Sequence, residues 1–460
     1  MLLCSQPGVR YAIALPARDN LHCVSTLGQK ERQVRNHLTR GGMVRVEDAV
    51  NEYDPSVQCH SAHYAETREL SQMPTQSDRL VRGANALQEE LADWAAQILL
   101  GQPRPWPVGE GTKGLQVAHA FFNAEGIGAL CYQGLTTAHL LDLLSKDVWD
   151  LLRKESHAAA VSELIRSRRD TQVLQWLGEI GLQPLVLKGA AYAHTVYPEA
   201  YLRPRCDTDL LFADKASAEE ACRRLEQEGY ALMPSVVEGR FVSRQKTCVN
   251  PTFGGHALDI HWAVSNTHTF VRALPYDELK RYAVPLPSLQ ANARTLGPVH
   301  SLLFACVHLF GHQRIEHQSR LIWRYDIYLL GRQMSDGDWQ RFATTAVNKG
   351  VAGICRHALD RVHARFPLEI PASIRAILVA AEPHEAFRPD RLRTPLLYAL
   401  HDLSALDDWV ARLQCVREAL FPSRAYILGK YGKTNGAWLP LLYLRRTASG
   451  MAKRLRSGRG

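Results

Sequence analysis

Residues 185–212 constrain the chain more than any other stretch. Leu185-Val186-Leu187 is a short apolar run that reads as a buried strand. It ends in Lys188-Gly189, and small residues follow as if a helix began there. A basic loop with Arg203 and Arg205 leads into Asp207-Thr208-Asp209, and Leu210-Leu211-Phe212 continues as a second strand. Residues i and i+2 of a strand share a face. Asp207 and Asp209 therefore project together, while Cys206, Thr208 and Leu210 point the other way. Two neighbouring carboxylates repel unless a cation holds them. A hard divalent ion such as Mg²⁺ takes oxygen ligands of this kind.

Two further features bear on the same chemistry. Free N–H groups at a helix N-terminus bind phosphate, and Gly189 lets a phosphate approach the backbone closely. In Ala257-Leu258-Asp259-Ile260-His261-Trp262, alternation puts Leu258, Ile260 and Trp262 on a buried face and Asp259 with His261 on the other. Asp259 on a neighbouring strand would complete a metal site with Asp207 and Asp209. Each feature has a plainer reading. The Asp pair would be solvated at a strand start, Asp259 would lie on an edge strand, and Arg203 and Arg205 would belong to a solvated loop or a structural ion pair. His308 and His312 share a helix face, but no acid lies between them and Gly311 weakens the helix. They read as core or groove residues rather than zinc ligands. There is no GxSxG and no Walker A pattern.

A chain of 460 residues is too long for one ordinary core. We divide it into a weakly patterned extension over 1–76, expected to be poorly ordered, a helical segment over 77–181, an α+β core over 182–295, a helical C-terminal domain over 296–446 and a basic tail over 447–460. The fold class expected is α+β, a small mixed β-sheet flanked by helices. Strands are expected at 185–188, 207–213, 229–233, 240–249 and 256–264, with a helix at about 216–228. Met43 and Met73 are internal start candidates. Ten cysteines stand singly, without a CxxC pair, which argues against a zinc ribbon or a disulfide scaffold. No apolar run approaches the ~18 residues of a membrane span, and no secretory leader is evident; a cytoplasmic location is expected. Of a formal net charge of +9, six positive charges sit at Arg445, Arg446, Lys453, Arg454, Arg456 and Arg459. That end suits nucleic acid or another anionic surface, or is a solvated, frayed terminus.

The run LKGAAYAHTVYPEAYLRPRCDTDLLF, then LDIHW, then a helix with Arg320-Leu321-Ile322-Trp323-Arg324-Tyr325-Asp326, resembles the uncharacterised bacterial nucleotidyltransferase family of the DNA polymerase β superfamily. The resemblance spans residues 80 to 445, approximately. It implies that Asp207, Asp209 and Asp259 bind Mg²⁺, with Mn²⁺ as a substitute. It also implies that Lys188 and Gly189 lie near the triphosphate of an NTP such as ATP; the backbone at Ala190, and Arg203, whose planar fork suits phosphate oxygens, are expected to bind it with them. The reaction implied is transfer of an NMP group to a hydroxyl of an unknown acceptor, a small molecule, a protein or an RNA end, with release of pyrophosphate. A catalytically silent nucleotide-binding protein on the same fold is the alternative. Two departures stand out. Ala190 occupies the place where many relatives of the superfamily carry Ser or Gly, and Thr208 the place where an aliphatic residue is usual.

Overall fold

A computed structural model describes residues 2–6, 9–13, 76–102, 104–108, 111–233, 241–253, 255–315, 320–388 and 395–457. The chain divides into two compact units, Met1–Ala65 and Glu66–Gly460. In the first, β1 (Leu2–Gln6) pairs antiparallel with β2 (Val9–Ile13). Sequence patterning had shown no strand there; the signal is Pro7-Gly8, a turn dipeptide between two five-residue runs. The rest of the extension to residue 75, with the expected disorder, lies outside the described residues.

The second unit opens with α1 (Gln76–Leu99), α2 (Thr112–Glu125), α3 (Gly128–Thr137) and α4 (Lys146–Glu179). Two apolar faces in this region suggested successive helices. Instead, α4 runs unbroken for 34 residues, because the polar stretch Arg153–His157 contains no Gly or Pro to interrupt it. Then come β3 (Leu185–Leu187), α5 (Lys188–Thr195), β4 (Asp207–Leu211), α6 (Lys215–Gln227), β5 (Ala231–Leu232), β6 (Gln245–Asn250) and β7 (His256–His261). Asp214 caps α6 by accepting from Ser217 N. Two short helices, α7 (His268–Ala273) and α8 (Tyr276–Arg281), precede β8 (Val284–Pro285) and β9 (Arg294–Thr295).

The fold is α+β with one mixed seven-stranded sheet, in the order β5-β6-β7-β4-β3-β9-β8. Strand β4 sits in the middle, parallel to β7 and antiparallel to β3. Central strands are buried on both faces, which is why Leu185, Val186, Leu187, Leu210, Leu258 and Ile260 are all buried. Strands β8 and β9 were not expected; two residues each are too few to show a period.

Helices α9 (Pro298–Ile315), α10 (Leu321–Arg332), α11 (Asp336–Asn348), α12 (Ala352–His363) and α13 (Ala372–Ala381) follow. Ser335 and Asp338 form a capping box at the start of α11. The last helices are α14 (Pro395–Ser404), α15 (Trp409–Leu420), α16 (Arg424–Lys430) and α17 (Leu439–Ser457). Asp408 caps α15 by accepting from Ala411 N, which sets it off from α14. Helix α17 carries on through most of the basic tail. Among the described residues no helix is long and apolar enough to cross a membrane.

Candidate active site

The sheet register builds the site. Asp209 on β4 lies directly beside Asp259 on parallel β7, and beside Leu187 on antiparallel β3. Lys188, the next residue after β3, therefore emerges next to the carboxylates. Its Nζ donates to Asp209 Oδ1 at 2.6 Å. The same oxygen accepts from His261 Nε2 at 2.8 Å. Asp259 is oriented from β6: Thr247 Oγ1 donates to its Oδ1 at 2.7 Å and Gln245 Nε2 to its Oδ2 at 3.2 Å. Asp207, two residues before Asp209 on the same face, is partly buried at the start of the strand.

The electrostatics separate the two carboxylates of β4. Burial pushes the Asp207 carboxyl up to about 6, reinforced by the charges of Asp209 and Asp259. Burial would raise Asp209 as well, but Lys188 and His261 hold it well below the usual carboxylate range. Burial opposes charge on Lys188, yet Asp209, Asp207 and Asp259 together raise its pKa. Asp209, Asp259 and His261 each place a ligand atom within 4.8 Å of the others, an arrangement able to hold a metal ion. The backbone of Lys188 has φ +51°, a left-handed conformation uncommon outside glycine. It turns the chain sharply from β3 into α5. The N-cap of α5 is Leu187, whose side chain cannot accept from the N–H groups of the first turn.

A family model described as uncharacterised nucleotidyltransferase matches residues 116–367. The chain belongs to this family. The match supports a nucleotidyltransferase role, and with it a nucleotide substrate. No curated protein matches the chain. The match runs from within α2 to just past α12, so it contains the whole seven-stranded sheet and all the side chains above.

Around these carboxylates, the fold holds two buried ion networks that sequence reading had left open. Arg203, expected near the triphosphate, turns its fork to Asp326 on α10, with Nε and Nη2 each 2.8 Å from a carboxylate oxygen. Tyr197 Oη also donates to Asp326. A cavity of about 20 Å³ lies between Lys188, Tyr192, Arg203, His308, Trp323 and Asp326. It has room for one water and not for a nucleotide. Arg205 lies on the opposite side of β4. It forks onto Glu163 of α4 at 2.8 and 2.9 Å, reaches Asp170 at 2.7 Å, and donates to the Thr208 hydroxyl. Thr208 thereby has a reason: on a buried face that carries a guanidinium, an aliphatic side chain would leave one donor unmet. Asp170 goes on to His256, and His256 to Tyr230.

Gly189 and Ala190 are buried in the first turn of α5; a Cβ on Gly189 would come 3.4 Å from the Arg203 guanidinium. The His308 and His312 rings lie 4.4 Å apart, tilted to each other, and both pack against Trp323. Burial, with His312 and Lys188, holds the His308 pKa well below its ordinary value. His261 is the residue that sequence reasoning did not place in the site, although alternation had put it on the face of Asp259. Gly109-Glu110-Gly111-Thr112-Lys113-Gly114 has dinucleotide-loop spacing, but a loop rather than a strand leads into it, so the βαβ context is missing.

Proposed function

We propose that the chain is a Mg²⁺-dependent nucleotidyltransferase that moves an NMP group from an NTP to a hydroxyl acceptor. The observation that carries this reading is the register of Asp209 with Asp259, with Asp207 on the same face and Lys188 at their edge. The donor set fits the ion: carboxylate oxygens dominate it, and Mg²⁺ or Mn²⁺ prefers such ligands. Asp207, Asp209 and Asp259 would hold it, with His261 orienting Asp209. When bound, the ion neutralises triphosphate charge and makes the acceptor hydroxyl more acidic.

The chain's own groups do the remainder. Lys188 and the N–H groups of Gly189 and Ala190 meet the triphosphate. Arg203, paired with Asp326, fixes the loop that leads into Asp207 and adds positive field. The acceptor oxygen bonds to the α-phosphorus, the bond from that phosphorus to the pyrophosphate oxygen breaks, and the hydroxyl proton passes to Asp259. Such catalysis is mostly positioning and charge complementarity. The acceptor is a small hydroxyl compound, a protein side chain or an RNA end.

One observation favours a second reading, nucleotide binding without turnover: the Lys188 ammonium already neutralises the carboxylate that would hold an ion. Incubation with each labelled NTP and Mg²⁺ in a lysate separates the two. Pyrophosphate release with label transfer, lost in the Asp207→Ala, Asp209→Ala double variant, supports the enzyme. A double variant as active as wild type would sink it, and nucleotide binding without release selects the second reading.

A further inference from the structure

Helix α15, beyond the family match, presents its apolar side outward. On α15, Trp409, Leu413, Val416 and Leu420 recur at helical spacing and lie on one face. They are 72, 61, 38 and 40 % exposed. The inward face is the opposite one. There Glu418 accepts from the backbone N–H groups of Phe241 and Val242, and Cys415 lies 3.6 Å from His268 Nε2. Exposed Arg412 and Arg417 flank the stripe. An amphipathic helix ordinarily buries its large apolar side chains, so this one is fastened to the protein by its polar side.

Helix α17 packs against the C-terminal end of α15. Tyr443 Oη donates to Pro422 O, Arg446 Nη1 donates to Ala419 O, and the rings of Phe421 and Tyr443 lie 5.6 Å apart. Phe421, Leu441 and Leu444 are also exposed, at 59, 56 and 69 %. The sequence from this point on is one-sided in charge: residues 419–460 contain nine Lys and Arg and no Asp or Glu.

We propose that this surface docks on an anionic lipid bilayer, with the stripe in the headgroup–acyl boundary and the basic residues over anionic headgroups. The charge decides among occupants. A second copy would set two basic surfaces against each other. A nucleic acid would satisfy the cations but leave the Leu and Val side chains without a partner, because single-strand binders interleave aromatics with their cations. An anionic bilayer satisfies both sets of groups. The proposal does not depend on the nucleotidyltransferase chemistry.

The test is sedimentation of the full chain with phosphatidylcholine vesicles, with and without roughly 30 % phosphatidylglycerol. Binding is expected with the anionic vesicles alone, and about 0.5 M NaCl should weaken it. Trp409→Ser with Leu413→Ser, and separately Arg445→Glu with Lys453→Glu and Arg454→Glu, should each cut binding about tenfold or more. Melting temperatures should stay at the wild-type value, since the apolar side chains replaced are exposed. Equal binding to neutral vesicles, no binding to either, or full binding by the Trp409→Ser, Leu413→Ser variant overturns the proposal. So does tight binding of single-stranded RNA without vesicle binding, or a dimer that Leu413→Ser dissociates.

Discussion

Lys188 combines a left-handed backbone with a charge held against three carboxylates. Such strain costs of the order of 1–3 kcal/mol and persists where the surroundings over-determine it. Replacing Lys188 by Met should destabilise the metal-free protein by about 3 kcal/mol, because Asp209 is then left buried with less compensation. Mn²⁺ should restore more stability to this variant than it adds to wild type. Thermal melting with and without Mn²⁺ measures both, and an unchanged melting temperature for Lys188→Met would remove the lysine from this role. Thr208 gives a second expectation. Thr208→Val keeps the shape and removes the acceptor of Arg205, at a cost of about 1–3 kcal/mol in urea denaturation. A neutral result would mean that Glu163 and Asp170 satisfy Arg205 without it.

The contact between α7, α15 and the segment entering β6 should be pH-sensitive. Arg244 Nη2 donates to His268 Nδ1 at 2.6 Å, which requires a neutral ring. Burial, and then Arg244, hold the His268 pKa down to about 4, with Glu418 offsetting part of the shift. The unfolded ring titrates near 6.5. Between those values the unfolded chain binds the extra proton, so stability rises with pH across that window and is lost as pH falls through it. Urea midpoints for wild type and His268→Gln, compared at about pH 7.5 and 5, should show the steeper fall in wild type. Parallel falls would assign the acid sensitivity to other groups. Elements also differ in how well sequence announced them. Strands β3, β4 and β7 were legible because apolar runs and alternation are local. The two-residue strands β8 and β9 carry no such pattern, and the continuity of α4 rested on the absence of a breaker.

For the molecule as a whole, ion binding should couple to stability. Mg²⁺ at about a hundred times its Kd adds about 2.7 kcal/mol to the folded state. Calorimetric melting should therefore move upward with Mg²⁺ in wild type and stay fixed in the Asp209→Asn, Asp259→Asn variant. A shift that survives both substitutions would place the ion elsewhere. Architecture supplies the reason for the coupling: the carboxylates come from separate strands, so a bound ion cross-links β4 to β7 only while the sheet is intact.

The run from Lys188 to Asp209 and the later Asp259 could be read directly, because backbone periodicity aims a side chain and needs only near neighbours. That periodicity put Asp207 with Asp209 and Asp259 with His261. It could not say that β7 lies parallel to β4 in the register that sets Asp209 beside Asp259. Nor could it give Arg203 its partner Asp326, 123 residues away. Strand order and buried ion pairs depend on which surfaces pack against each other along the whole chain. Long-range burial brought His261 onto Asp209, set Arg205 against α4, and turned the apolar side of α15 outward.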